Sequence, residues 1–235
     1  MRRRQLGEAD RIVTLFTREH GKIEAVAKGV RRPRSHFAGR LEFGNECNFE
    51  MHRGRSLDVI VSAEILRAYW SRIVQPERYA AAGAVAELID AFCEPQLPMP
   101  EAYDLTMGAI AAVATVPLPS ELLPRFSLRL LDLLGLAPPL ESCVRCGRAL
   151  ANESVWLDAQ SGGVVHGGCR ERWRDLRELQ LADLENLRAL ARPKGAQATV
   201  RATPRAAVAT QELIAHHLGR RPKASLELHE ENAQP

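Results

Sequence analysis

Apolar and polar positions alternate along the first quarter of the chain and then change to a helical period. Ile12 to Thr17 is β-prone, Glu19-His20-Gly21-Lys22 is turn-forming, and Lys22 to Lys28 largely alternates, so the two runs predict a hairpin. Cys47, Phe49 and Met51 then alternate with Glu46, Asn48, Glu50 and His52. The chain turns at Arg53-Gly54-Arg55 and continues through Leu57, Val59, Val61, Ala63 and Ile65. Each run reads as a strand with one buried face. Several short, closely spaced strands within about 80 residues predict a small barrel, and an OB-like barrel is the commonest of those that bind single strands.

From Pro76 onward the pattern predicts helices. The first opens at Pro76-Glu77-Arg78 and is rich in Ala and Leu through Phe92; the second runs from Pro100 to Ala114. The third opens at Pro119-Ser120-Glu121, carries Leu122, Phe126, Leu130, Leu133 and Leu134 on one stripe, and stops at Gly135. Two more are predicted over Trp173 to Ala191 and over Pro204 to Leu218, the last ending at Gly219. Five such helices predict a compact bundle. Between the third and fourth, Val155-Trp156-Leu157-Asp158 and the stretch from Ser161 to Val165 predict two short strands around a glycine turn.

The expected fold class is therefore α+β, an N-terminal OB-fold β-barrel followed by an α-helical domain with an inserted zinc-binding segment. The expected divisions are 1–73 for the barrel, 74–140 and 173–227 for the two parts of the helical domain, 141–172 for the zinc segment and 228–235 for a polar, frayed tail.

Charge sharpens this picture. The whole chain carries only +3, but residues 1–40 hold eleven cations against four anions. Positive charge concentrated at one end is what a domain needs when it meets a polyanion, and nucleic acid is the leading partner. The alternative is a solvated basic face. Gly29-Val30-Arg31-Arg32-Pro33-Arg34-Ser35 mixes Gly, Pro and Arg, which prevents regular pairing and leaves guanidinium groups for phosphate contacts. The expected phosphate contacts are Arg11, Lys22, Lys28, Arg31, Arg32, Arg34 and Arg40. Phe43 and Phe49 fit a strand's apolar phase and are expected in the core, whereas Phe37, beside the basic loop, is the candidate for stacking on a base. Residues 81–140 are acidic except for Arg125 and Arg129, one turn apart, which are either receivers for an acidic peptide or an ordinary exposed pair.

The remaining chemistry lies in the cysteines. Cys143-Val144-Arg145-Cys146 and His166-Gly167-Gly168-Cys169 place donors at i and i+3 on two tight turns, at a separation that suits a structural zinc ribbon. The expected ligands are Cys143, Cys146, His166 and Cys169. Cys47 and Cys93 stand alone among apolar neighbours, and an odd total of five does not make a disulfide framework. A deaminase-type zinc site is disfavoured, because Ser142 precedes Cys143 and no His-x-Glu lies upstream. Two rivals to nucleic-acid binding stay open: a zinc-ribbon adaptor for protein contacts, and a zinc hydrolase using Glu171 or Asp158 as base. No run is long enough to cross a bilayer, and Met1-Arg2-Arg3-Arg4 is not followed by the apolar stretch of a signal peptide, so a cytoplasmic, nucleoid-associated protein without membrane contact is expected.

Gly7 to Leu15, His20-Gly21-Lys22 and Ala25 to Arg32 resemble the N-terminal signature of the RecO family, bacterial mediators of recombination and DNA repair. Leu130-Leu131-Asp132-Leu133-Leu134-Gly135 and His217-Leu218-Gly219 are similar to that family's helix before the cysteine pair and to its closing helix. The resemblance implies a protein that binds single- and double-stranded DNA and anneals complementary strands without nucleotide hydrolysis. It also implies action with RecR and recognition of the acidic C-terminal tail of single-stranded DNA-binding protein, so that a recombinase loads on coated DNA. The absence of a Gly-x-x-x-x-Gly-Lys-Ser/Thr loop agrees with an activity independent of ATP. There are two departures from the pattern. Family members usually carry a further apolar strand before the stretch matching Arg2-Arg3-Arg4, a departure that bears on closure of the expected barrel and on full DNA affinity. His166 stands where Cys is usual, and imidazole is also a competent zinc donor.

Overall fold

A computed structural model describes residues 3–37, 39–117, 121–150, 154–171, 176–192 and 201–222. The chain forms two compact units, 1–119 and 120–235.

The first unit is built on a five-stranded sheet with strands β1 (Arg3–Leu6), β2 (Asp10–Thr17), β3 (Gly21–Ala27), β4 (Glu46–His52) and β5 (Asp58–Arg67). Their order is β1-β2-β3-β5-β4, with β3 and β5 parallel and the other neighbours antiparallel. That order is the strand order of an OB-fold. The barrel expected from the sequence is, however, an open sheet: among the described residues β1 and β4, the outer strands, do not pair with each other. Among the described residues β1 pairs with the first part of β2, from Arg3 opposite Val13 to Leu6 opposite Asp10, while β2 runs on to Thr17. A cleft of about 580 Å³ opens there, lined among others by Phe16, Phe43, Phe49 and Tyr103.

The core of this unit gathers Val13, Ala25, Ala27, Ile60 and Ala63 from the inward phases of β2, β3 and β5. Small residues line β3, and the space they leave is filled by Phe37 from the long connection between β3 and β4. Phe49 packs on the edge of this cluster. Phe43 stands edge-on to Tyr79 at 5.5 Å between ring centres. After the sheet come a short helix α1 (Trp70–Ile73), then α2 (Pro76–Phe92) and α3 (Pro100–Val113), each of the longer two opening on a proline in its first turn. Asn45 anchors α1 by accepting from the backbone N–H groups of Tyr69 and Trp70 at 3.0 Å each.

The second unit holds α4 (Leu122–Leu133), a small sheet of β6 (Val155–Asp158), β7 (Gly163–His166) and β8 (Arg177–Leu179) in the order β7-β6-β8, and then α5 (Leu181–Ala191) and α6 (Pro204–Leu218). Its core is a leucine cluster: Leu128, Leu130 and Leu131 of α4, Leu184, Leu187 and Leu190 of α5, and Leu213 of α6 are all buried. The helices expected from the sequence thus divide between the units, α2 and α3 in the first and α4 to α6 in the second, rather than forming one bundle of five. The helix expected over Trp173 to Ala191 is shorter. Residues 172–175 lie outside the described ones, Arg177–Leu179 pairs with β6, and the helix starts at Leu181, where Gln180 and Asp183 form a reciprocal capping box. Residues 228–235 lie outside the described residues.

Candidate functional site

Two constellations carry chemistry, one in each unit. In the second, Glu141 to Leu150 folds into a tight hairpin. Cys143 N–H donates to Arg148 O at 2.9 Å, Gly147 N–H donates to Cys143 O at 2.9 Å, and Leu150 N–H donates to Glu141 O at 3.0 Å. Gly147 takes φ +71°, the left-handed value that lets the chain leave Cys146 and turn back. The β6–β7 hairpin brings the second pair to it. Gly163 is pressed so closely by the first knuckle that a Cβ would meet Val144 Cγ1 at 2.6 Å, and Val144 N–H donates to Val164 O. One ligand atom from each of Cys143, Cys146, His166 and Cys169 then lies within 4.8 Å of the others.

The donor chemistry suits a metal ion. His166 Nε2 is 3.2 Å from Ala149 O, a carbonyl that only accepts, so this nitrogen carries the proton and Nδ1 is left as a donor atom, 3.5 Å from Cys146 Sγ. Hydrogen bonds from the backbone and side chain of Arg148 hold the Cys146 thiol down at about 6. Burial alone raises Cys143, but the backbone N–H groups of Cys146, His166 and Arg145 outweigh it and bring the thiol below its ordinary value. Its hydrogen bond to Cys146, and then burial, raise Cys169, as crowded thiols do when they compete for protons. A cation held among the four donors favours the thiolate form of all three cysteines.

Arg145, between the two cysteines of the first knuckle, donates to Asp158 Oδ2 at 2.9 Å and to Glu171 Oε1 at 2.5 Å. Both carboxylates considered as hydrolytic bases are therefore engaged by a guanidinium, and Asp158 is buried besides. Each is thus already a partner in the Arg145 fork that ties the two knuckles together. Sequence reasoning passed over Arg145 and Arg148; their signal was position, one inside and one just beyond the Cys-x-x-Cys turn.

In the first unit the basic residues separate by role. Asp10 accepts from Gly29 N–H at 2.8 Å, and Arg31 N–H donates to Ala9 O at 3.0 Å, which fixes the exit of β3 against the β1–β2 turn. Arg32 N–H to Gly29 O and Ser35 N–H to Arg32 O continue the loop as successive turns, leaving Lys28, Arg31, Arg32 and Arg34 exposed. These four, and the half-buried Arg11, have no ion-pair partner among the described residues. Other cations of the same region are already paired: Arg3 with Glu42, Arg4 with Glu24 and Arg18 with Asp104. Asp10, an acid inside a basic signature, was not singled out from the sequence.

Four expectations change. Lys22 does not face outward: its ammonium lies 3.3 Å from Asp90 Oδ1 and donates to Asp90 O at 2.6 Å, with both side chains 13% exposed. Phe37 is 2% exposed, so it is a core residue and not a stacking platform. Arg40 remains exposed, but its guanidinium turns back to donate to His36 O, stiffening the loop. Arg125 donates to the carbonyls of Leu190 and Arg192 at 3.2 Å and so completes the C-terminal end of α5; burial, and then Arg129, lower its pKa. Arg129 is half-buried, and its Nε has no hydrogen-bond partner among the described residues.

Comparison with known families decides what these features belong to. Residues 1–69 match the family model for the N-terminal part of recombination protein O, and residues 74–227 match that for its C-terminal part. The chain belongs to the RecO family. Its role accordingly lies in DNA repair and recombination, with DNA and the recombination machinery as its partners. The OB-type strand order of the first unit agrees with the RecO-family match over residues 1–69. Among the described residues of this RecO-family chain, no helix is long and apolar enough to cross a membrane.

Proposed function

We propose that this chain is a recombination mediator which binds DNA through the loop after β3, anneals complementary single strands, and helps a recombinase load on DNA coated by single-stranded DNA-binding protein, in concert with RecR. The observation that carries the reading is the separation of cations in the first unit. Arg31, Arg32, Arg34 and Lys28 project from a loop tied down by Asp10 and Phe37, without carboxylate partners among the described residues, while their neighbours are paired. Arg11 flanks them. Cations held in place but not neutralised are the ones that displace counterions from phosphates. By neutralising two strands in turn the loop lowers their mutual repulsion, and base pairing supplies the selectivity. The protein is a matchmaker and not a catalyst, working at the nucleoid in the cytoplasm. Arg129 is the remaining candidate receiver for the acidic tail of the coating protein.

The ion at Cys143, Cys146, His166 and Cys169 is zinc in this reading, because three thiolates and an imidazole on two tight turns match its tetrahedral preference, and a full set of protein ligands leaves no open position for chemistry. Its role is architectural. It closes the segment between α4 and β8.

A salt series on the triple variant Arg31→Ala, Arg32→Ala, Arg34→Ala tests the DNA reading. The slope of log affinity against log salt for single strands should become shallower by about 2, near 0.7 for each lost phosphate contact, and annealing should slow in parallel. An unchanged slope would exclude these residues as contacts.

A further inference from the structure

We propose that Arg145, acting through Asp158, Ser161 and Glu171, is the positioning device of the metal centre: it holds the two knuckles at ligand distance before the ion arrives and so sets the affinity of the site. The inference rests on reading the four-donor cluster as a zinc site. Arg145, between the two cysteines of the first knuckle, reaches both other parts of the centre. One amino group donates to Asp158 Oδ2 at 2.9 Å and lies 3.4 Å from Ser161 Oγ; the other donates to Glu171 Oε1 at 2.5 Å. Asp158 ends β6, its side chain is 1% exposed, and it also accepts from Ser161 N–H at 3.1 Å and Ser161 Oγ at 2.7 Å. Glu171 lies just beyond Cys169, the last ligand. A single planar fork therefore joins the first knuckle, the β6–β7 turn and the exit of the second knuckle.

Energetics favours a geometric role over a stabilising one. Burying a carboxylate such as Asp158 costs most of what its ion pair returns, so the pair adds little net stability. What it does supply is order. Cys146 and His166 are separated by a hairpin, and a site that must bring them together only when the ion binds loses affinity to the entropy of that ordering. A guanidinium suits the task because its two donor edges are fixed in one plane, which a lysine cannot reproduce.

The test uses the full chain and zinc itself, measured by competition with a chromophoric chelator, with cobalt substitution to report ligand geometry. Arg145→Ala should lose about ten- to a hundredfold in zinc affinity, the range found when outer partners of metal ligands are removed. At saturating cobalt its visible ligand-field bands should broaden, while far-ultraviolet circular dichroism at saturating zinc stays native. Arg145→Lys should recover only part of the affinity. Glu171→Gln, which leaves the buried Asp158 contact in place, should lose several-fold and decides the matter if Arg145→Ala does not fold. Native affinity in Glu171→Gln and in any folded Arg145 variant overturns the clamp while leaving the zinc site standing. A native chain that takes up no zinc, with Cys146→Ser indistinguishable from it, overturns the zinc reading and the clamp with it.

Discussion

Gly21 shows how a turn residue of the N-terminal signature also serves packing between elements. It sits at φ +66°, and a Cβ there would meet Leu97 O at 2.1 Å, because the α2–α3 connection lies directly on the β2–β3 turn. Its neighbour Lys22 completes the contact by pairing with Asp90, while Gln96 N–H donates to Lys22 O at 2.9 Å. Gly21→Ala should cost about 1–3 kcal/mol from the backbone strain alone, and the close contact adds to it; urea unfolding would show this, and an unchanged midpoint would contradict it. Lys22→Ala should likewise destabilise, by about 1–3 kcal/mol for the lost charged hydrogen bonds, yet leave the salt slope of DNA binding as it was. A shallower slope in that variant would return Lys22 to the list of phosphate contacts.

At the scale of elements, the loop after β3 is held by its own residues and not by regular pairing. Phe37 fills the gap left by the alanines of β3, and Asp10 grips Gly29. Asp10→Ala should therefore weaken DNA binding without removing any cation, since the loop would lose its fixed placement; the decrease is expected at constant salt slope, because the number of phosphate contacts available does not change. The metal hairpin behaves differently. Its two knuckles rest on four ligands, the Arg145 fork and the short β6–β7 ladder. Chelation should raise amide exchange over residues 140–171 while the leucine cluster of α4, α5 and α6 keeps its protection, and uniform loss across the second unit would refute a local role for the ion.

For the whole molecule, the basic loop after β3 belongs to the unit 1–119 and the four-donor cluster to the unit 120–235. Metal removal should accordingly leave the salt slope for oligonucleotides at its native value, measured on the full chain before and after chelation. Parallel losses of zinc and of DNA affinity would show that the two functions are coupled.

The helices from Pro76, from Pro100 and from Pro204 to Leu218 were legible because proline at a helix start, and glycine after the last helix, act locally and are independent of what packs above them. The four-donor cluster that could hold a metal was legible for a similar reason, since a knuckle offers donors three residues apart whatever the surrounding fold. Partnership was not legible. Whether Lys22, Arg40 or Arg125 faces solvent depends on Asp90, His36 and the end of α5, of which only His36 is close in sequence. Phe37 could be placed in the core only once the small residues of β3 and Ile60 and Ala63 of β5 stood in one cluster with it. Local rules thus determined most of the elements and the four-donor pattern from sequence alone. Long-range contacts decided which cations remain free, because a charge is neutralised by what lies near it in space.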